Sequence, residues 1–288
     1  MIRLDAATVL LQWAAGGLFF LWVTTRRREV GIGYGWLLRS VYGVLAAGAF
    51  VAGRLVNPDG VRDACSLLVA LATTAALVVS VARRKAGVAG ERARRERRAA
   101  RVQAMAAGEQ PSDAEPVAPG APGAEFPPGL DLVAPIIGAV GLVAAAVGAG
   151  GPHALAIVRT LAGGAFLGAV SDAMLLGHWY LVQPGLGRDP LNELIRLLTI
   201  TWPVEVVALL WPIGMLSVFS GKVDDGWNGT LGWFWVACAV TTITLCFVTR
   251  AALKEKSYSA VMAATGLLYL AILTAFGTDL VARAVLAG

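Results

Sequence analysis

Eight stretches of this chain stay apolar for about twenty residues at a time, the length a helix needs to cross a hydrocarbon core of about 30 Å. No other feature restricts the fold as severely. The runs fall at 6–25, 33–53, 64–81, 130–149, 154–182, 191–216, 231–249 and 259–285. Composition leads the same way, because 57% of the 288 residues are hydrophobic and 15% charged, whereas soluble domains carry about 25% charge. A globule of this size could not hide that much apolar surface from water. A soluble enzyme, a disulfide scaffold and a disordered regulator are therefore excluded. The sequence predicts an all-α, polytopic membrane protein of eight transmembrane helices, with the fifth and sixth long enough to require tilt or a break.

The basic residues orient the helices. Arg26, Arg27 and Arg28 follow the first span; Arg83, Arg84, Lys85 and the cluster at 92–101 follow the third. Arg188 and Arg196 flank the join of the fifth and sixth, and Arg250, Lys254 and Lys256 follow the seventh. Loops rich in Lys and Arg stay in the cytoplasm, which places both termini on the non-cytoplasmic side of a cell inner membrane. The first span ends in arginines rather than small residues, so it reads as a retained helix and not as a cleaved signal.

Three regions follow: helices 1–3 at 1–82, a cytoplasmic loop at 83–129, and helices 4–8 at 130–288. The first half of the loop is basic and built of helix formers, suited to lie against anionic headgroups. Its second half is acidic and Pro-rich, and reads as a disordered linker. An arginine cluster so close to a span is a positive-inside signal, and no nucleic-acid partner is expected.

Catalytic motifs are missing. There is no GxSxG, HExxH, CxxC or CxxCH, and the three cysteines read as small packing residues. The only two histidines, His153 and His178, stand roughly 37 Å apart along one helix. A bis-His haem held within this chain is thereby excluded, and no metal site is expected.

The informative residues are the ionisable ones inside spans, each costing several kcal/mol unless paired or wetted. Arg39 and Asp172 lie at depths where they could form an ion pair. Asp172, His178 and Trp179 share a helix face, with Tyr180 adjacent and Asn192, Glu193 and Arg196 at the cytoplasmic mouth. An acid, a histidine and flanking aromatics suit a quinone headgroup, so Arg39, Asp172, His178, Trp179 and Tyr180 form a candidate quinone-binding pocket. The plainer reading makes Arg39–Asp172 a structural pair and the aromatics part of an interfacial belt. Glu205, between Pro203 and Pro212, is a candidate proton or ion site with Arg159 as its cation. Asp279 and Arg283 have the spacing of an i,i+4 pair, and GGAFLGAV reads as a small-residue packing face.

These residues support a membrane subunit of a larger complex, such as an electron-transfer one, that binds quinone. The alternatives are a small-molecule or ion transporter using Glu205, and a non-catalytic scaffold that contacts other membrane-complex subunits.

Overall fold

The structure is a computed structural model. It describes residues 4–84, 96, 99, 100, 102, 103 and 126–287, with the exception of 213, 221 and 256. Within them the chain is helical and has no strand. The helices are α1 Ala6–Thr25, α2 Ile32–Val56, α3 Gly60–Ala82, α4 Val133–Gly148, α5 His153–Val182, α6 Asp189–Leu210, the single turn α7 Leu216–Phe219, α8 Thr230–Ala252 and α9 Tyr258–Leu286. A short 3₁₀ segment, Pro128–Leu132, leads into α4. Most of the basic cluster at 92–101, and the acidic linker up to 125, lie outside the described residues.

Seven of these helices, counting Pro128–Gly148 as one, are long and apolar enough to cross a membrane. The apolar surface they expose, including Val44, Leu55, Val78 and Leu273, has the character of a lipid-facing one. The eighth long helix, α6, falls short in composition, since Glu193, Arg196 and Glu205 lie along it. It also stops sooner than the sequence led us to expect, at Leu210 instead of Leu216. Pro212 has no N–H to extend the ladder. The chain turns there through a cis Trp211–Pro212 bond and is tied back by Met215 N–H to the Leu209 carbonyl at 3.0 Å.

The helix starts follow local chemistry. Asp5 caps α1 by accepting from Thr8 N–H at 2.9 Å, and Asp59 caps α3 through Arg62 N–H at 3.1 Å. Such caps satisfy donors that the first helical turn leaves open. Arg62 links the two helix starts: its N–H is capped by Asp59, and its fully buried guanidinium reaches Asp5 at 2.8 Å and Asp63 at 2.9 Å.

α5 is the central element, with 67% of its most apolar window enclosed by protein against 33% for α2, α3 and α8. It packs against α1, α4, α6 and α9. Its crossing with α1 depends on glycines: a Cβ on Gly16 would sit 1.9 Å from the Gly164 carbonyl oxygen, and one on Gly168 would sit 2.2 Å from the Gly16 backbone. The GGAFLGAV stretch is thus a packing face, where missing side chains let two backbones touch.

The two ends of the bundle differ. At one, Arg283 near the end of α9 lies within electrostatic range of Asp5, so the first and last helices share this end, termed here the termini end. At the other, the loop end, Arg26 reaches Glu193 at 2.5 Å. Arg188 there donates to the carbonyls of Leu253 and Ser257 at 3.2 and 2.9 Å, lacing three connections together.

Candidate functional site

Two buried polar clusters lie along α5, one towards each end. The cluster at the termini end is built from α1, α5, α6 and α9. Arg159 enters from α5 and donates from Nε to the Ala208 carbonyl at 2.9 Å and from Nη2 to the Trp211 carbonyl at 2.6 Å. These are carbonyls that the broken end of α6 cannot satisfy for itself, so the guanidinium takes the place of the missing turn. From α9, Arg283 grips Asp279 at two points, Nε to Oδ2 at 2.7 Å and Nη2 to Oδ1 at 3.1 Å. Both side chains are fully enclosed.

Gly163 supplies the space in which these groups converge. A Cβ there would lie 2.6 Å from Asp279 Oδ1, 3.0 Å from Gln12 Nε2 and 3.2 Å from Arg283 Nη2. Gln12 donates to the Thr160 carbonyl at 2.5 Å, while its own Oε1 is buried without a hydrogen-bond partner.

Glu205 completes the cluster from α6. It is 0% exposed; neither carboxyl oxygen accepts from a donor among the described residues, and the Asp279 carboxyl lies within hydrogen-bonding reach of it. Asp279, Arg283 and Arg159 are the charged groups within its electrostatic range. Two guanidinium groups and Asp279 sum to one positive charge, so a proton on Glu205 decides whether the cluster is neutral or singly positive. Native structures rarely leave buried polar atoms without a donor or acceptor, and among the described residues Glu205 has both carboxyl oxygens without a donor.

The residues expected to form a quinone pocket each have a partner outside that set. Arg39 is not paired with Asp172. It forms a buried two-point ion pair with Asp131, at 2.8 and 2.6 Å, at the mouth of α4. Asp172 instead accepts a short hydrogen bond from Tyr42 of α2. His178 is exposed, and its Nδ1 meets the Tyr269 hydroxyl at 3.2 Å. Tyr180 is buried and donates to the Gly187 carbonyl. Trp179 sits against Tyr34 with ring centroids 5.9 Å apart, and its indole N–H donates to Gln183 at 2.9 Å. At the mouth, Asn192 and Arg196 are exposed, and Glu193 pairs with Arg26. Glu205 and Arg159, by contrast, do belong to one cluster, and Asp279–Arg283 forms the expected i,i+4 pair.

Sequence reasoning missed Gln12, Tyr34, Tyr42 and Asp131. The first three are isolated polar or amphipathic side chains within apolar runs, and that isolation was the available signal. Asp131 sits at the seam between linker and helix, where periodicity is silent. Among the described residues no three metal-ligating side chains converge, and Cys65, Cys238 and Cys246 are free and buried.

Comparison with known protein families, with curated proteins and with solved structures returned no match to this chain.

Proposed function

We propose that this chain is an eight-span protein of the cytoplasmic membrane, with both termini outside, that carries protons or a small cation across the bilayer by way of Glu205. The observation that carries this reading is the Glu205 carboxyl itself, wholly enclosed beside Asp279, Arg283 and Arg159, with neither oxygen accepting from a donor among the described residues. Intramembrane acids with this character are the usual stations of proton and ion paths. The broken end of α6 adds support, because interrupted helices line the binding sites of many transporters. Counting α6 as a crossing gives eight passes, consistent with the shared position of Asp5 and Arg283 at one end. The arginines Arg26 and Arg188, gathered at the other end, suit a cytoplasmic face.

A quinone-binding subunit of an electron-transfer complex is the second reading, with Arg39 held by Asp131 and His178 exposed against Tyr269. It retains the Trp179–Tyr34 ring contact, tilted at 58° with centroids 5.9 Å apart.

The test uses the full chain in liposomes holding a pH-sensitive dye, with a potassium diffusion potential imposed. Wild-type protein is expected to collapse a proton gradient, and Glu205→Gln to fall to the rate of empty vesicles. Wild-type vesicles no leakier than empty ones would reject the transport reading and favour a subunit or scaffold.

A further inference from the structure

The turn α7 is far too short to cross a bilayer, yet it is apolar on two sides. Met215 before it and Val218 within it are buried, packed with Leu209 of α6, Trp235 of α8, and Ala282 and Val285 of α9. This inner face fills the space between three helices at the termini end. It lies one helical turn beyond Glu205 and Asp279, since Leu209 follows the first on α6 and Ala282 the second on α9. The outer face carries Leu216 and Phe219, both exposed.

The depth of that outer face follows from α8, one of the apolar spans. Its 23 residues make a helix of about 35 Å at 1.5 Å per residue, against a hydrocarbon core of about 30 Å. The first turn of α8 therefore stands at the edge of the hydrocarbon. α7 rests on that turn. A Cβ on Gly232 would lie 3.1 Å from Val218 Cγ1 and 3.2 Å from Phe219 Cε1, and the Phe219 and Trp233 rings meet edge to face with centroids 5.4 Å apart. The outer face of α7 is thus continuous with a stripe on α8, where Trp233, Val240 and Phe247 recur every two turns and are each more than half exposed. Trp211 and Trp227 are as exposed as Trp233, and indole rings of this kind gather at the headgroup level of a membrane. The charged Lys222 and Asp224, also exposed, belong to the water beyond it.

We propose that α7 is an interfacial turn whose outer face, Leu216 and Phe219 beside Trp211 and Trp233, is embedded at the boundary of phospholipid headgroups and acyl chains, and that this contact holds the inner face over the Glu205 cluster. A lipid surface is the partner because the face continues the lipid-facing stripe of α8 at a depth where lipid surrounds the bundle. Apolar side chains set into that boundary gain in proportion to the area they bury. The inference requires α8 to span the bilayer and does not depend on proton transport.

Photoreactive lipid tests the contact on the unaltered chain in phosphatidylcholine liposomes. A diazirine high on the acyl chain is expected to label Leu216 or Phe219 together with Trp233. A diazirine at the chain terminus should label Val240, midway along α8, and leave α7 unmarked. Spin labels at Leu216→Cys and Asp224→Cys provide a second measure. The ratio of oxygen to nickel-chelate collisions should be several-fold higher at 216 than at 224. Adducts on Trp233 without any on α7, or equal ratios at the two positions, would place α7 in water and overturn the proposal. A label at 216 closed to both reagents would mean that a second copy or another protein covers this face, which also overturns it. The holding role is read separately: Leu216→Asp should raise maleimide labelling of Ser217→Cys several-fold, and an unchanged rate removes that part of the proposal.

Discussion

Arg39 and Asp131 meet in a two-point ion pair, Nε to Oδ1 at 2.8 Å and Nη2 to Oδ2 at 2.6 Å, with both side chains almost entirely enclosed. The Phe126 ring lies 4.4 Å from the guanidinium, and Thr25 of α1 reaches Asp131 at 3.4 Å. The pair fastens the start of the second helical region to α1 and α2 of the first. Removing one member of a buried pair strands the other charge, at a cost of about 3–5 kcal/mol. Arg39→Met should therefore lower the unfolding midpoint in detergent sharply, and Arg39→Met with Asp131→Leu should recover most of the loss. A double variant as unstable as the sum of the singles would show that the pair is not what holds this junction.

The glycines of α1 and α5 are not equivalent to glycines elsewhere. Gly168→Ala pushes a methyl into the backbone of Gly16 and should cost about 3 kcal/mol or more, the upper range for overpacking. Gly266 has nothing within 4 Å of where its Cβ would be, so Gly266→Ala should stay within about 0.5 kcal/mol of wild type. Equal melting shifts for the two variants would contradict the proposed crossing.

Arg159 substitutes for lost helix hydrogen bonds at the end of α6. Arg159→Leu should release the segment after Leu210, and a cysteine placed at the buried Ser217 reports it through maleimide labelling. The native cysteines are buried and give a low background. Labelling is expected to rise several-fold in the Leu variant; an unchanged rate would mean that α7 and its neighbours Met215, Val218 and Trp235 hold themselves in place.

In the loop before α8, Asp225 accepts from the backbone N–H groups of Gly229 at 2.8 Å, Trp227 at 3.0 Å and Leu231 at 2.9 Å. These donors, that of Gly229 foremost, hold its carboxyl below the usual Asp range. A depressed folded-state pKa stabilises the turn at every pH above the ordinary carboxyl value of about 3.9 and loses that effect as pH falls through the depressed one. Asp225→Asn should speed amide exchange at Gly229 and Leu231 at neutral pH, with the difference closing in strong acid. A difference independent of pH would mean that the carboxylate charge plays no part.

The helices were legible in the sequence because length and apolarity are local properties: α1 occupies the expected residues, and α5 begins one residue early. The end of α6 was not, because its apolar composition continues past Pro212 while the backbone cannot. Partnerships were harder still. Arg39 had two acids at suitable depth, and the choice of Asp131 over Asp172 depends on how α4 enters the bundle, which no spacing encodes. Arg159 was expected as the cation of Glu205 and lies within its electrostatic range, but its hydrogen bonds go to the Ala208 and Trp211 carbonyls, a demand created by the break after α6 that residue spacing does not show.

Gln12 is bonded to a carbonyl 148 residues further along the chain, and Trp13 to a hydroxyl 158 residues further. At about 5–20 residues per second, a ribosome reaches Thr160 roughly 7–30 s after Gln12. For that interval the first helix must remain in the bilayer with its amide unclaimed. Assembly of this protein is therefore ordered in time, with the polar groups of α1 satisfied only once α5 has been made.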